Sequence, residues 1–302
     1  MHIPDGFLST PVWASLDVAA LPAVSYMARR AQRGFDDSKA PLLGVMGAFV
    51  FAAQMINFPV GAGTSGHLLG GALLAYTLGP AAASLTMTAI LAIQALVFQD
   101  GGVLALGANV VNMAIAGVLA SCAPYWLWGN GPRRKTAIFL GGALSVLVSA
   151  TLALSELLVS GVPLPRSALG ASVALFAIAA VVEGAITLAV IGAMEKIQPQ
   201  FVRKPGAGRP RALAAAAAVA AVLATCGFLI TSAAPDGIWS LANRNGFASR
   251  ARQMYSTPFT DYHLSFLRAP WQAKALAGAA GLVAVYLACT AIGRAVARAR
   301  RT

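Results

Sequence analysis

Charge is what this chain has least of. Only 11% of its 302 residues are Asp, Glu, Lys or Arg, while 58% are hydrophobic; a soluble domain carries about 25% charged residues. The shortage excludes a large soluble core and points to a polytopic membrane protein. Acidic residues are the scarcer kind, 10 against 22 basic ones, for a net charge of +12. That excess does not suit nucleic acid, because it lies in short clusters between apolar runs, with no basic stripe or interleaved aromatics. In a membrane protein such clusters mark cytoplasmic loops. Cysteine is nearly absent: Cys122, Cys226 and Cys289 each lie inside an apolar run without CxxC spacing. They read as small buried hydrophobes, and neither a disulfide nor a zinc site is indicated. No GxxxxGK[ST] pattern occurs, so the chain is expected to hydrolyse no ATP itself. HExxH is missing too, which leaves an intramembrane metalloenzyme poorly supported. Ahead of the first apolar run there is no basic segment, apolar core and cleavage site of a leader. The mature chain is therefore expected to begin at Met1 with a free α-amine, histidine being too large a second residue for the initiator methionine to be removed.

What is present is a series of apolar runs. They predict nine spans, over about 10–29, 41–57, 67–79, 81–98, 104–128, 136–160, 168–195, 212–233 and 272–292. The third is short for a bilayer crossing and is expected to start below the membrane surface, shielded by protein. The basic clusters, among them Arg29, Arg30, Arg33, Lys39 and Arg133, Arg134, Lys135, favour the N-terminus outside and the C-terminus inside. That topology puts Met1-His2, the 57–67 stretch, Gln99-Asp100 and the 234–271 loop on the outer face. Three parts follow: a membrane domain over 1–197, a basic proline-rich linker over 198–211, and a two-helix segment over 212–302 with its long loop at 234–271.

The candidate chemistry begins at the first residue. The Met1 amine, the backbone nitrogen between Met1 and His2, and the His2 imidazole can close fused chelate rings on one metal ion. Three nitrogens held in a plane suit Ni(II) and Cu(II), with Co(II) as a further fit. Pro4 stiffens the chain just beyond. His67, one of three histidines, ends the glycine-rich 57–67 stretch on the same side and supplies a fourth nitrogen. Thr64 and Ser65, with Asp5 and Asn57, are placed to orient ligands. Asn109, Asn112 and Met113 line a pocket floor or bond between helices. The bland alternative is a helix-capping loop, Thr64 or Ser65 being the N-cap and His67 merely hydrogen-bonded.

The stretches Met-His-Ile-Pro-Asp-Gly-Phe-Leu at 1–8, Asn-Phe-Pro-Val at 57–60, Gly-Thr-Ser-Gly-His-Leu-Leu-Gly-Gly at 63–71, Gln-Asp-Gly-Gly at 99–102 and Ala-Leu-Gly-Ala-Asn at 105–109 resemble the CbiM/NikM family. Its members are nickel- or cobalt-binding S components of energy-coupling factor (ECF) transporters, a branch of the ABC transporters. The resemblance covers about 1–200. It implies an all-α polytopic fold, a seven-helix S-component bundle with two further helices, in a bacterial inner membrane. It also implies a metal held by Met1, His2 and His67, Ni(2+) or Co(2+) as the transported substrate, and as partners a membrane T component and two cytoplasmic ATPases. The segment after the linker resembles the small two-helix N subunit of nickel systems. Its Pro-Asp-Gly motif lies at 235–237, followed by Ile238-Trp239 in place of the usual Leu-Glu. The fusion leans the expected cargo toward nickel.

The rival reading is a self-contained secondary carrier that uses Asp17, Glu156 and Glu183, ionisable residues within spans where charge is costly; packing or partner contact is the alternative for each. His263 is a candidate for capturing metal in the outer loop, or an ordinary polar residue. Pro235-Asp236-Gly237 echoes Pro4-Asp5-Gly6, which chance explains, since such turns are common. Docking of the 234–271 loop over the metal site is a further expectation.

Overall fold

The computed structural model describes residues 1–33, 39–197, 232, 234–264 and 269–299. Its helices are α1 (Thr10–Gln32), α2 (Ala40–Gln54), α3 (Gly71–Leu78), α4 (Pro80–Phe98), α5 (Leu106–Trp128), α6 (Arg134–Val159), α7 (Arg166–Ile197), α8 (Gly237–Arg244) and α9 (Pro270–Arg298). Among the described residues, α4, α5, α6, α7 and α9 are long and apolar enough to cross a membrane. The chain is a multi-pass membrane protein built from helices. The linker, Cys226 and nearly all of the expected eighth span lie outside the described residues.

Two of the expected spans differ in detail. The second ends at Gln54, leaving a 15-residue helix that is shorter than a bilayer crossing requires. It is buried almost throughout: Gly44 and Gly47 let α9 approach so closely that a Cβ would meet Tyr286 at 2.8 Å and Cys289 at 2.7 Å. The third span does not begin at His67. Residues Asn57–Gly61 (β1) and Thr64–His67 (β2) pair antiparallel as a hairpin, Asn57 opposite His67, and only then does the eight-residue α3 start. The 61–63 turn has φ of +111°, +47° and +65°, which the two glycines permit at little cost. The eighth span apart, the remaining boundaries fall within a few residues of expectation, α9 running past the expected 292 to Arg298.

Two helices carry π-helical turns, Gln94–Phe98 at the end of α4 and Val110–Gly117 inside α5. Such turns gather at functional sites. Gly107 seats α5 on α1: its N–H donates to Asp17 Oδ1 at 2.7 Å, and a Cβ there would lie 2.6 Å from the Asp17 backbone nitrogen. Gly107→Ala is therefore expected to push α1 off α5 and destabilise the bundle by about 1–3 kcal/mol. Thermal unfolding in detergent reads the effect, and an unshifted midpoint would contradict this packing.

The N-terminal residues run inward rather than into solvent. Ile3 and Phe7 are fully buried, with Leu8 close to it, in a second apolar cluster with Ala105, Leu157, Phe176, Ile238 and Leu241. Phe7 meets Trp239 and Phe247 edge-on, at 5.5 and 5.2 Å between centroids. The first seven residues are thus held between the start of α5, the N-terminal half of α7 and the α8 segment.

Candidate metal centre

Three sets of backbone contacts fix the N-terminus. Asn109 Oδ1 accepts from the Ile3 N–H at 2.8 Å while its Nδ2 donates to the Ile3 carbonyl at 3.1 Å. The same carbonyl accepts from the Gly102 N–H at 2.9 Å. The Asp5 carboxylate takes the N–H groups of Val103, Leu104 and Ala105 at 2.8–3.2 Å, where α5 begins. Hydrogen bonds to a charged acceptor contribute about 1.5–3 kcal/mol each, so this joint is firm. It also explains Gln-Asp-Gly-Gly. Gly101, at φ +96°, lies against the His2 side chain, and a Cβ on Gly102 would sit 2.5 Å from the Asp5 backbone nitrogen. We expect Gly102→Ala to unseat residues 1–5 and lower metal binding at least tenfold while helix content by circular dichroism stays unchanged. Wild-type binding in that variant would contradict the joint.

This seating brings the Met1 amine within 2.8 Å of His67 Nε2, and the His2 and His67 rings stack with centroids 5.1 Å apart. The His67 tautomer follows from its neighbours. Its Nδ1 lies 3.0 Å from the Leu68 carbonyl, which can only accept, so Nδ1 carries the proton and Nε2 presents a lone pair toward the amine. Burial, the adjacent ammonium and His2 lower the His67 pKa to about 3. The ring is neutral at ordinary pH, the form a metal ligand needs.

His2 is 3% exposed, and its Nδ1 meets Asp100 Oδ1 at 2.9 Å; the acceptor again assigns the proton to Nδ1. Its Nε2 is buried without a hydrogen-bond partner, an orphaned polar atom that marks a functional position. Only Nδ1 lies near enough to the His2 backbone nitrogen to close a six-membered chelate ring. The atom suited to a metal is thus the one Asp100 holds. Tyr262 donates its hydroxyl to the other Asp100 oxygen at 2.6 Å. Desolvation works to raise the Asp100 carboxyl, but the His2 charge and hydrogen bond, with Tyr262, outweigh it and hold it well below the usual range.

Asp236 reaches the amine from the other side. Its Oδ2 lies 2.7 Å from Met1 N and its Oδ1 accepts from the Trp239 N–H at 2.9 Å, capping α8. Burial would raise this carboxyl, and the ammonium, by charge and hydrogen bond, turns the net shift downward. A cavity of about 20 Å³ lies beside Met1 and His67, bounded also by Thr64, Gly66 and Gly237, space for one water-sized occupant. A wider cavity of about 260 Å³ opens outward over Gly101 and Gly102, lined by Asp5, Gln99, Tyr255 and Asp261.

The other expected residues take different places. Thr64 and Ser65 do not touch the histidines; they hold the C-terminal segment, Thr64 through the Ser240 hydroxyl at 2.7 Å and Ser65 through Ala234 O at 2.7 Å and Pro235 O at 2.8 Å. Neither caps a helix, and α3 has Gly70 at its N-cap. Asn57 contributes backbone, pairing with His67 and accepting from Ser232 N–H at 2.7 Å. Asn112 bonds Glu156 at 2.8 Å. His263 follows Tyr262, and among the described residues its ring makes none of the contacts above. Glu183 is fully buried and accepts from the Leu69 and Gly70 N–H groups at 2.7 and 2.9 Å, two and three residues beyond His67. Sequence reasoning gives Asp100, Asp236 and Tyr262 no part in the metal site, and gives Glu183 only ion coupling or packing within a span. Asp100 alone left a signal, within Gln-Asp-Gly-Gly. No group of three or more His, Cys, Asp or Glu side chains arranged for a metal occurs among the described residues.

Comparison with known proteins agrees with this architecture. Residues 2–201 match the model for the cobalt uptake substrate-specific transmembrane region. A putative fused nickel transport protein NikMN of Archaeoglobus fulgidus is 34% identical over 312 residues, covering 100% of both chains. A cobalt transport protein CbiM of Thermosediminibacter oceani is 33% identical over 208 residues, 65% of this chain and 84% of that one. The crystal structure of a truncated transition metal transporter superposes with a TM-score of 0.58 at 33% identity, over 65% of this chain and 99% of that one. Matched by that family model over residues 2–201 and by a relative along its whole length, the chain belongs to the CbiM family of metal transport proteins.

Proposed function

We propose that the chain is the substrate-recognition subunit of an ECF-type importer. It captures a divalent transition metal, nickel in preference to cobalt, from the outer side through the Met1 amine, the His2 backbone nitrogen and Nδ1, and His67 Nε2. The observation that carries this reading is the approach of the buried N-terminal amine to the bare Nε2 of a neutral His67. On loading, the ion exchanges its water for these nitrogens, and His2 turns its Nδ1 from Asp100 to the metal while the ring proton moves from Nδ1 to the unpartnered Nε2. A planar four-nitrogen set disfavours Zn(II), which prefers a tetrahedron. Cu(II) stands above Ni(II) in the Irving–Williams order, so its exclusion rests on availability. Full-length similarity to the Archaeoglobus protein named as a fused nickel transporter supports the nickel preference.

Asp17, Glu156 and Glu183 accept hydrogen bonds from Gly107, Asn112 and the Leu69–Gly70 amides. Their engagement in packing supports a partner-driven importer over a self-contained carrier. The partners are a membrane T component and two cytoplasmic ATPases. Nickel uptake by cells making this chain should therefore require all of them, and a Walker-lysine variant of either ATPase should stop it. Equal uptake by the chain alone would overturn the ECF assignment.

Metal entry displaces protons from the N-terminal ammonium and the His2 amide, whereas His67 is already neutral above its pKa of about 3. The apparent affinity is expected to fall with acid at a slope approaching about two protons per ion. Isothermal titration in buffers of different ionisation heat measures that number; a slope near zero would rule out amide ligation.

A further inference from the structure

We propose that Asp236, from the segment after the linker, is a positioning residue of the metal centre that holds the Met1 amine in the donor plane. The inference rests on the donor set proposed above. Among the described contacts of the ammonium, one is to a metal-ligating nitrogen, His67 Nε2, and one to Asp236 Oδ2, at 2.8 and 2.7 Å. The Asp236 carboxylate is itself fixed. Its second oxygen caps α8, and its backbone runs parallel to β2, bridging Ser65. Ser65 bonds Pro235 and Ala234, and Thr64 bonds Ser240. Gly237 admits the Phe176 ring, which a Cβ would meet at 2.8 Å. Behind it Ile238 is fully buried.

The two carboxylates of the centre thus have different tasks. Asp100 holds His2 Nδ1, the atom that must turn to the metal, so its contact breaks on loading. A metal-bound primary amine keeps two N–H bonds, so Asp236 retains its partner before and after. A carboxylate of this kind orients a ligand without bonding the ion. The amine then enters the centre already placed, and the C-terminal segment supplies part of the site.

The experiment uses the full-length chain with its native N-terminus, comparing wild type with Asp236→Asn, Asp236→Ala and Ser240→Ala. Asn keeps an oxygen for the Trp239 N–H, a sound helix cap, but turns its NH2 toward the ammonium, donor against donor. Ser240→Ala loosens docking and leaves the carboxylate in place. Each is titrated with NiCl2 while absorption is followed, and the metal-free proteins are treated with an N-hydroxysuccinimide ester to time acylation of the Met1 amine. Both Asp236 variants should bind nickel roughly 10–100-fold more weakly, reach the wild-type spectrum at saturation and acylate faster, with Ser240→Ala near wild type. Wild-type affinity and acylation in both Asp236 variants would overturn the proposal. An equal loss in Ser240→Ala would do so by assigning the effect to docking, and an altered spectrum at saturation by making Asp236 a ligand. The donor set is tested apart from this by a chain carrying one alanine ahead of Met1. Should that chain bind like wild type, the donor set fails whatever the Asp236 variants do; should it lose binding while they do not, only this inference fails.

Discussion

A chain extended by one alanine ahead of Met1 should lose nickel affinity by on the order of 1,000-fold, about 4 kcal/mol. The extension converts the amine into a peptide nitrogen and places an extra residue where the Met1 amine now sits 2.8 Å from His67 Nε2 and 2.7 Å from Asp236. Met1 is 10% exposed, and the cavity beside it, about 20 Å³, is too small for the added residue. His67→Ala should cost at least as much, because it removes the one donor that comes from outside the first two residues. The two changes leave Ile3, Phe7 and the Asp5 joint in place, so both proteins should insert and fold normally. Stoichiometry by metal analysis and the nickel absorption band read the result together. One planar-type ion in wild type and none in either variant is the expected outcome. Unchanged binding by the extended chain would remove the amine from the donor set and send the search to the carboxylates.

The second large effect is expected at Glu183. Its carboxylate is the partner of two buried amides, Leu69 and Gly70, and the Leu69 carbonyl is held from the other side by Gln54 Nε2 at 2.7 Å. Alanine there leaves two buried N–H groups unsatisfied at about 1–3 kcal/mol each. A destabilisation of roughly 2–5 kcal/mol follows, and the loop that carries His67 loses its support on α7. Glu183→Gln keeps one acceptor oxygen and should be milder. Thermal unfolding in detergent and nickel titration should fall together in the alanine variant; loss of stability with wild-type nickel affinity would show that His67 is positioned by β2 alone.

The helices were legible because each is a long apolar run bounded by glycine, proline or charge: Gly79-Pro80 before α4, Gly129 to Arg133 before α6. The hairpin was not. Asn57 to His67 has no alternation of apolar and polar residues, and what makes it pair is the left-handed turn at 61–63 and the docking of Ser232 and residues 234–240 against it. Met1, His2 and His67 stand out in the sequence as nitrogen donors on one expected face, at the chain terminus and at the end of the glycine-rich stretch, and the structure brings them together. Asp236 and Tyr262 did not stand out, since their partners lie more than 150 residues away and a Pro-Asp-Gly turn reads as ordinary. Asp5 and Asp236, whose motifs echo one another, both accept backbone N–H groups at a helix entry, Asp5 from residues 103–105 just ahead of α5 and Asp236 as the cap of α8. Glu183 was seen as a charge in a membrane helix, but nothing local says that it receives the peptide groups after His67.

The π turn at Val110–Gly117 has a consequence for how this family can change in length. A π turn holds one residue more than an α turn, so α5 is a place where a single deletion restores regular helix instead of breaking it. The wider turn takes up its extra residue locally, so closing it should spare the flanks the roughly 100° rotation that a deletion from regular α-helix imposes. Asn109 lies just ahead of this turn and should keep its hold on Ile3 through such a change, whereas a deletion from the regular helix after Gly117 would swing it away. The stretch that looks most irregular in α5 is thus the place where the mooring of the first residues best tolerates a change of length.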